Sequence, residues 1–273
     1  MCPPPDSPTS ITTFSLPVSK GTILVHTYGS GPKLLIALHG YDYDGQVFAD
    51  WAAPLGSRYT ICAPDLPFHG GSEWWAPEFK PADWVEIISG IAAQQGKTRY
   101  SLVGHSLGGR IIVCTAAILS EQIEQAVLLA PAGIGAFDQV APLVVQQLAE
   151  RATGWTRGLQ FLVTLGARLG WVSTFHRRYA EAQLYPPDKR YRLFRTYNSI
   201  RNFRTTAAPT LQFWQATTLP TLIVLGSNDR FVPNPKIRAY FAANPACTVV
   251  EIVGTHDLVN ATTAQLLKGR LPN

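Results

Sequence analysis

The segment with the clearest chemical signature in this sequence is a serine with one glycine two residues before it and another two residues after it. Ser106 stands in the segment GHSLG (residues 104–108), which has the spacing G-x-S-x-G between an apolar strand-like run and an apolar helix-like run. A serine on such a tight, strained turn exposes its hydroxyl group. Gly104 and Gly108 face each other across the turn and leave no side chain to collide there. The following helix points its amide end at the reacting oxygen, where it favours negative charge, so the spacing predicts a nucleophilic serine.

Strand-like and helix-like stretches alternate around this turn. The strand-like runs lie at residues 11–16, 22–28, 33–38, 59–63, 100–103, 126–130, 221–225 and 248–253. Most of them are apolar on both faces, which is typical of central parallel strands. Helix-like stretches lie between them at residues 81–95, 107–119, 235–243 and 258–267. The alternation predicts an α/β protein with a mostly parallel central sheet and helices on both faces, and with functional residues just beyond the carboxyl ends of the strands.

One long segment interrupts the alternation. Residues 131–218 contain no run of the buried-strand kind, and residues 140–151, 158–169 and 189–203 look helical instead. We therefore predict that this segment is an inserted helical lid. The predicted organisation is a flexible Pro- and Ser-rich tail at residues 1–10, a core at residues 11–130 and 219–273, and the lid at residues 131–218.

The G-x-S-x-G turn in its strand–turn–helix context resembles the nucleophile elbow of the α/β-hydrolase family. The likeness covers nearly the whole chain outside the tail and the predicted lid, and it implies that fold and the chain order nucleophile, acid, base. His256 follows the last predicted strand, in the loop where the family holds its base, and the pKa of imidazole suits proton transfer at neutral pH. The segment GSNDRFVP (residues 226–233) resembles the family loop G-x-x-D-x-x-V-P, which implies that Asp229 orients the base. Asp257 and Asp138 are the rival acids.

The same resemblance implies an oxyanion hole. Tyr41 follows the pair His39-Gly40 after an apolar strand, and its backbone amide is expected to bind the oxyanion together with that of Leu107. Losing one such donor typically costs about 3 kcal/mol of transition-state stabilisation. We expect supporting roles for His39, Gly40, Gly104, His105 and Gly108.

A second loop and two acidic residues raise further questions. The segment DLPFHGGS (residues 65–72) resembles the family loop D-x-P-G-H-G-x-S, although Phe68 stands where glycine is usual. Asp42 and Asp44 lack the glycine and glutamate of a calcium loop, and the four cysteines form no CxxC pair. We therefore expect that the protein holds neither a metal nor a cofactor. The loop at residues 65–72 is expected to support the site structurally.

Charge is concentrated in the predicted lid. From residue 132 to residue 218 there are eleven basic and four acidic side chains, a net +7, whereas the whole chain carries +5. Three interpretations stay open: attraction of an anionic substrate or acidic partner, peripheral membrane contact anchored by Trp155, Phe161 and Trp171, or solvated outer faces of helices. No recognised nucleic-acid module accompanies the charge, so nucleic-acid binding is not expected.

The remaining expectations concern location and reaction. No apolar run is long enough to span a membrane and the first residues lack the features of a signal peptide, so we expect a cytoplasmic protein; the oligomeric state is not indicated. The resemblance implies a serine hydrolase that cleaves an ester-like carbonyl bond in a small-molecule or acyl-chain substrate through an acyl-enzyme, as carboxylesterases and lipases do. Fold and triad do not separate this activity from that of a thioesterase, a C–C bond hydrolase or an acyltransferase. A homologue that binds a ligand with little turnover is the alternative from another class.

Overall fold

The computed structural model describes residues 12–134, 161, 164–166, 168, 178, 181–183 and 186–271. The predicted tail and the predicted helix at residues 140–151 lie outside the described residues, as does most of the predicted helix at residues 158–169. The chain divides into two compact units, Met1–Asp138 with Asn202–Asn273 and, separately, Gln139–Arg201. Helices are numbered below in chain order over the described residues.

The nine described strands of the larger unit form one twisted sheet. These strands are β1 (Thr12–Val18), β2 (Gly21–Tyr28), β3 (Lys33–Leu38), β4 (Tyr59–Pro64), β5 (Glu73–Trp74), β6 (Tyr100–His105), β7 (Ile123–Leu129), β8 (Thr221–Gly226) and β9 (Cys247–Ile252). Their spatial order is β1-β2-β4-β3-β6-β7-β8-β9, with β5 paired to β2. Strand β2 is antiparallel to β1, β4 and β5, and every pairing from β4 to β9 is parallel. The predicted mostly parallel sheet is therefore confirmed.

Helices cover the sheet, which explains why its central strands are apolar on both faces. The described helices are a 3₁₀ helix at Gly45–Trp51, α1 (Ala52–Leu55), α2 (Pro81–Gln94), α3 (Leu107–Leu119), α4 (Pro187–Ile200), α5 (Ala208–Ala216), α6 (Asn234–Phe241) and α7 (Ala261–Lys268). Helices α2 and α3 pack on each other and on the sheet, and α1 packs against α7. All six residues of β6 and all six of β8 are buried. The core therefore lies on both sides of the strands that carry the predicted site.

Several boundaries differ from the predicted ones for local reasons. Strand β7 begins at Ile123, three residues before the predicted run, because it continues to pair with β6 there. Helix α7 begins at Ala261 rather than at residue 258, since Asn260 caps it: the Asn260 side chain accepts a hydrogen bond from the Thr263 amide. The 3₁₀ helix and α1 were not predicted.

Helix α5 was not predicted as a helix either, and it falls within the predicted lid. It is nonetheless part of the larger compact unit. Trp214 of this helix is buried, and its indole N–H donates to the Val113 carbonyl of α3 at 2.8 Å. The Trp214 carbonyl in turn accepts a hydrogen bond from the Asn244 side chain. The lid itself stays a prediction, and helix α4, which belongs to the smaller unit, is the part of it that is described at length.

Trp74 and Phe79 are buried in the larger unit, whereas Trp75 is 72% exposed. Among the described residues, no helix has the length and apolar character that crossing a membrane requires.

Candidate active site

Ser106 occupies the single-residue turn between the last residue of β6 and the first residue of α3. Its backbone has φ +50° and ψ −108°, a conformation that a side chain makes costly. Hydrogen bonds hold this conformation: the Ser106 amide donates to the Leu129 carbonyl at 2.9 Å, and the Ser106 carbonyl accepts from the Ala132 amide at 3.0 Å. These bonds to Leu129 of β7 and to Ala132, which follows β7, hold the strained backbone of Ser106 in place. The hydroxyl group of Ser106 therefore lies at the carboxyl edge of the sheet.

The two glycines of the motif permit this turn because backbone passes close to both. A methyl group on Gly104 would lie 2.5 Å from the Gly108 carbonyl carbon and oxygen. A methyl group on Gly108 would overlap the Leu38 carbonyl group of β3. Both obstacles are backbone atoms that cannot rotate away, so the spacing G-x-S-x-G follows from packing at the turn.

Three side chains from distant parts of the chain form one hydrogen-bonded series. Nε2 of His256 lies 2.9 Å from Oγ of Ser106, and Nδ1 of His256 lies 2.7 Å from Oδ2 of Asp229. Because the carboxylate can only accept, Nδ1 of a neutral His256 carries the proton and Nε2 is free to accept from the serine hydroxyl. The arrangement can move a proton from the serine to the imidazole.

The surroundings of Asp229 keep its carboxyl group ionised. Its side chain is fully buried, and burial alone would raise its pKa. The hydrogen bond from His256 and those from the amides of Phe231 (2.7 Å) and Val232 (3.2 Å) outweigh burial, so the pKa of Asp229 lies below its usual value. The side chain of His256 is 19% exposed, so the imidazole can be reached from outside.

The rival residues do not take part in this series where they are described. Asp257 is exposed, and its carbonyl accepts a hydrogen bond from the Asn260 side chain. Asp138 lies outside the described residues.

The predicted oxyanion loop is held against the serine turn. The Gly108 amide donates to the His39 carbonyl at 3.2 Å, which joins the first turn of α3 to the segment that carries Tyr41. Gly40 lies so close to the turn that a methyl group there would be 3.3 Å from Cβ of Ser106. The segment that carries Tyr41 is therefore held beside the serine turn, and Leu107 directly follows the serine.

His39 is a buried connector between two loops. Its Nδ1–H donates to the Gly40 carbonyl at 2.7 Å, and its Nε2 accepts from the Leu66 amide at 2.9 Å. Burial lowers the pKa of His39 well below its usual value, and the nearby His69 lowers it further. His39 is therefore a neutral imidazole in a fixed tautomer, bonded only to backbone by these two contacts.

The loop at residues 65–72 is organised by a buried carboxylate. Asp65 accepts hydrogen bonds from the Gly45 amide and from Nε2 of His26 on one oxygen, and from the Gly71 amide on the other. Phe68, where the family has glycine, adopts φ +69°, a left-handed conformation that costs about 1–2 kcal/mol for a residue with a side chain. The loop thus keeps the conformation expected for glycine although the residue has changed.

Some neighbours of the site were not identified from the sequence. The Phe231 ring centroid lies 5.0 Å from that of His256, and the Tyr43 ring centroid lies 6.0 Å from that of His105. Phe231 and Tyr43 are 49% and 38% exposed, respectively. The only available signal was their position two residues from the predicted acid and from the predicted oxyanion residue.

In the described part of the chain, no three His, Cys, Asp or Glu side chains are grouped as a metal site requires. Asp44 has another function: its side chain caps the 3₁₀ helix by accepting a hydrogen bond from the Gln46 amide at 2.9 Å.

Comparison with known proteins gives consistent results. Residues 34–266 match the model of the alpha/beta hydrolase family. Lipase LipV of Mycobacterium tuberculosis is 37% identical over 109 residues, which are 40% of this chain and 41% of that protein. The pimeloyl-(acyl-carrier protein) methyl ester esterase of Nitrosomonas europaea is 32% identical over 109 residues, again 40% and 41% of the two chains. The match therefore spans about two fifths of the length of these relatives. The esterase RhEst1 from Rhodococcus has the same fold, with a TM-score of 0.65 at 21% identity over 96% of this chain and 97% of that one.

Proposed function

Because this chain belongs to the α/β-hydrolase family, we propose that it is a serine hydrolase that cleaves carboxylic ester bonds through an acyl-enzyme. The observation that carries the proposal is the hydrogen-bonded series from Ser106 through His256 to Asp229 at the carboxyl edge of the sheet. Relatives named lipase and methyl ester esterase favour an ester over other acyl compounds as the substrate.

In the proposed first half-reaction, Oγ of Ser106 attacks the ester carbonyl carbon while its proton passes to Nε2 of His256. Asp229 stabilises the imidazolium through the bond to Nδ1. The backbone amides of Tyr41 and Leu107 donate hydrogen bonds to the oxyanion of the tetrahedral intermediate. When the intermediate collapses, His256 returns the proton to the departing alkoxide, so an alcohol leaves and Ser106 carries the acyl group.

In the second half-reaction, water takes the place of the alcohol. His256 removes a proton from the water, whose oxygen attacks the acyl carbon, and a second tetrahedral intermediate forms in the same oxyanion hole. Collapse breaks the bond to Oγ, and His256 returns the proton to Ser106. The products are a carboxylic acid and the restored enzyme, and none of these steps needs an added reactant besides water.

The proposal is tested with a fluorophosphonate probe, which labels only an activated serine. We expect rapid labelling of the wild type and none of Ser106→Ala. Ser227→Ala is a matched control, since it removes an exposed serine hydroxyl from the loop that carries Asp229, and it should label like the wild type. Labelling that survives in Ser106→Ala would show that another residue is the nucleophile, and folded wild type that does not react would favour a ligand-binding protein with little turnover. Either result would overturn the proposal.

The class of bond is tested with acetyl and longer acyl compounds that differ only in the leaving group. We expect kcat/KM for esters to exceed that for matched thioesters, anilides and C–C substrates. A higher value for any of those classes would replace the ester assignment while leaving the serine mechanism in place.

A further inference from the structure

His105, the residue directly before the serine, contacts the loop that carries the proposed base. It is the last residue of β6 and only 1% exposed. Its Nε2 lies 2.8 Å from the backbone carbonyl oxygen of His256, although the two residues are 151 positions apart. The two imidazole rings are also close, with centroids 5.1 Å apart. One hydrogen bond therefore joins the strand of the nucleophile to the backbone of the base.

The two nitrogens of His105 have unequal surroundings, and this fixes its protonation. A carbonyl oxygen can only accept, so Nε2 carries a proton. Nδ1 is buried and has no hydrogen-bond partner among the residues that the structure describes, and it faces Gly40, where a methyl group would lie 2.8 Å away. A second proton on Nδ1 would be buried against carbon without an acceptor. Burial accordingly lowers the pKa of His105 to about 4, and the geometry admits only the neutral Nε2–H tautomer.

Side-chain packing does little to fix residues 253–257 of the loop that carries His256, and the first buried side chain after them is that of Leu258. The side chains on either side of His256, those of Thr255 and Asp257, are exposed, and Val253 is 93% exposed. Among the described residues, the Asn228 amide bonds to the Gly254 carbonyl at 2.8 Å and so fixes the start of the loop. The bond from His105 fixes the backbone at the base itself.

We propose that His105 is a positioning residue, whose Nε2–H bond to the His256 carbonyl keeps the imidazole within hydrogen-bond distance of Ser106. This inference rests on the proposed function, because positioning matters only if His256 takes the serine proton. Its anchor is rigid, since His105 is the last residue of the inner strand β6 and pairs with Leu129 of β7. A displacement of about 1 Å at a reacting group can cost about 100-fold in rate.

Two variants test the proposal. Both place a side-chain amide at position 105, but the two amides differ in how far they extend from the backbone. In His105→Gln the side-chain amide nitrogen extends to the place of Nε2 and can donate to the His256 carbonyl. In His105→Asn the amide nitrogen ends at the place of Nδ1 and falls short. We expect His105→Asn to lose about 10- to 100-fold in kcat with KM within about threefold of wild type, and His105→Gln to stay within about fivefold. Equal losses in both variants at unchanged urea midpoints, or full activity of His105→Asn, would overturn the proposal.

Proton and nitrogen NMR supply readouts that do not depend on turnover. The proton between Nδ1 of His256 and Asp229 is expected to give a downfield resonance in wild type and Ser106→Ala, and to broaden in His105→Asn but not in His105→Gln. If no ester is hydrolysed but this pattern holds, the proposed function fails and the positioning role stands. In unaltered protein, nitrogen shifts should report the neutral Nε2–H tautomer of His105 at pH 7, and an Nδ1–H or charged His105 contradicts the proposal even if both variants fail to fold.

Discussion

Replacing Asp229 by Asn is expected to inactivate the enzyme without unfolding it, because the surrounding amides dictate how the new side chain must lie. One carboxylate oxygen accepts from the amides of Phe231 and Val232, and the other accepts from Nδ1 of His256. The amide oxygen of Asn can keep the two backbone bonds only if its NH₂ group takes the place beside His256. Turning the amide round would instead set NH₂ against two backbone N–H groups, and each lost bond costs about 1–3 kcal/mol.

The NH₂ group then meets Nδ1 of His256, and two donors cannot bond to each other. The imidazole must shift to the Nε2–H tautomer, in which Nδ1 accepts from Asn and Nε2 points a proton at Ser106. That nitrogen can no longer take the serine proton. The same tautomer change costs about 10⁴-fold in kcat in serine proteases, which corresponds to about 5 kcal/mol of transition-state stabilisation.

The assay is kcat for a chromogenic short-chain ester, with Ser106→Ala as the background and urea unfolding as the check on folding. Asp257→Asn is the matched control, since it makes the same change in the adjacent, exposed rival carboxylate and should leave kcat within about threefold of wild type. Retention of more than a tenth of wild-type kcat by Asp229→Asn, or an equal loss in Asp257→Asn, would refute the assignment of Asp229 as the acid.

Two further predictions concern the turn and its acid sensitivity. Gly104→Ala should destabilise the protein by more than about 2 kcal/mol and abolish probe labelling, because the new methyl group meets the Gly108 carbonyl at 2.5 Å, whereas Gly269→Ala, with 3.9 Å to its nearest atom, should be tolerated in urea unfolding. Burial lowers the pKa of His105 from 6.5 to about 4, so the unfolded chain binds more protons between those pH values and stability falls as pH drops through them. Between pH 8 and pH 4.5 the contribution of His105 is about 2–3 kcal/mol. Urea unfolding of His105→Gln, which lacks the group, should show an acid loss smaller by about that amount, and equal losses in the variant and the wild type would contradict the prediction.

The elements of the fold could be predicted from the sequence wherever burial dictates the residue type. Strands β3 and β8 lie between helices, so they are nearly continuous apolar runs that end where the sheet ends, whereas β6 also contains the buried polar residues Ser101 and His105. Helix α5 was missed because it is only nine residues long and contains Pro and Thr, and its one deeply buried residue, Trp214, is held through its indole and its carbonyl by partners more than 25 residues away. Local pattern contains no information about such partners.

The features of the site likewise divide into those that a local sequence pattern predicts and those that depend on distant residues. The motif around Ser106 and the loop around Asp229 are local, and their spacing reflects steric and hydrogen-bonding demands within a few residues. The contact of His105 with the His256 carbonyl joins a side chain to a backbone atom 151 residues away, and a carbonyl group has no residue type that a sequence could display. At Phe68 the residue type would mislead a prediction, because the loop imposes a left-handed backbone that a phenylalanine does not favour.

The topology explains why the three proposed catalytic residues stand at different distances from their strands. Strands β6, β7, β8 and β9 are neighbours in that order, so β6 and β8 are about 10 Å apart at about 4.8 Å per strand. Ser106 follows β6 directly, whereas Asp229 comes three residues after β8 and His256 four residues after β9. The acid and the base must therefore reach back across the sheet edge on loops, and a loop is less rigid than a strand end. Precision at the base has to come from bonds made to the rigid strand of the nucleophile, and the contact from His105 is one that the described residues supply.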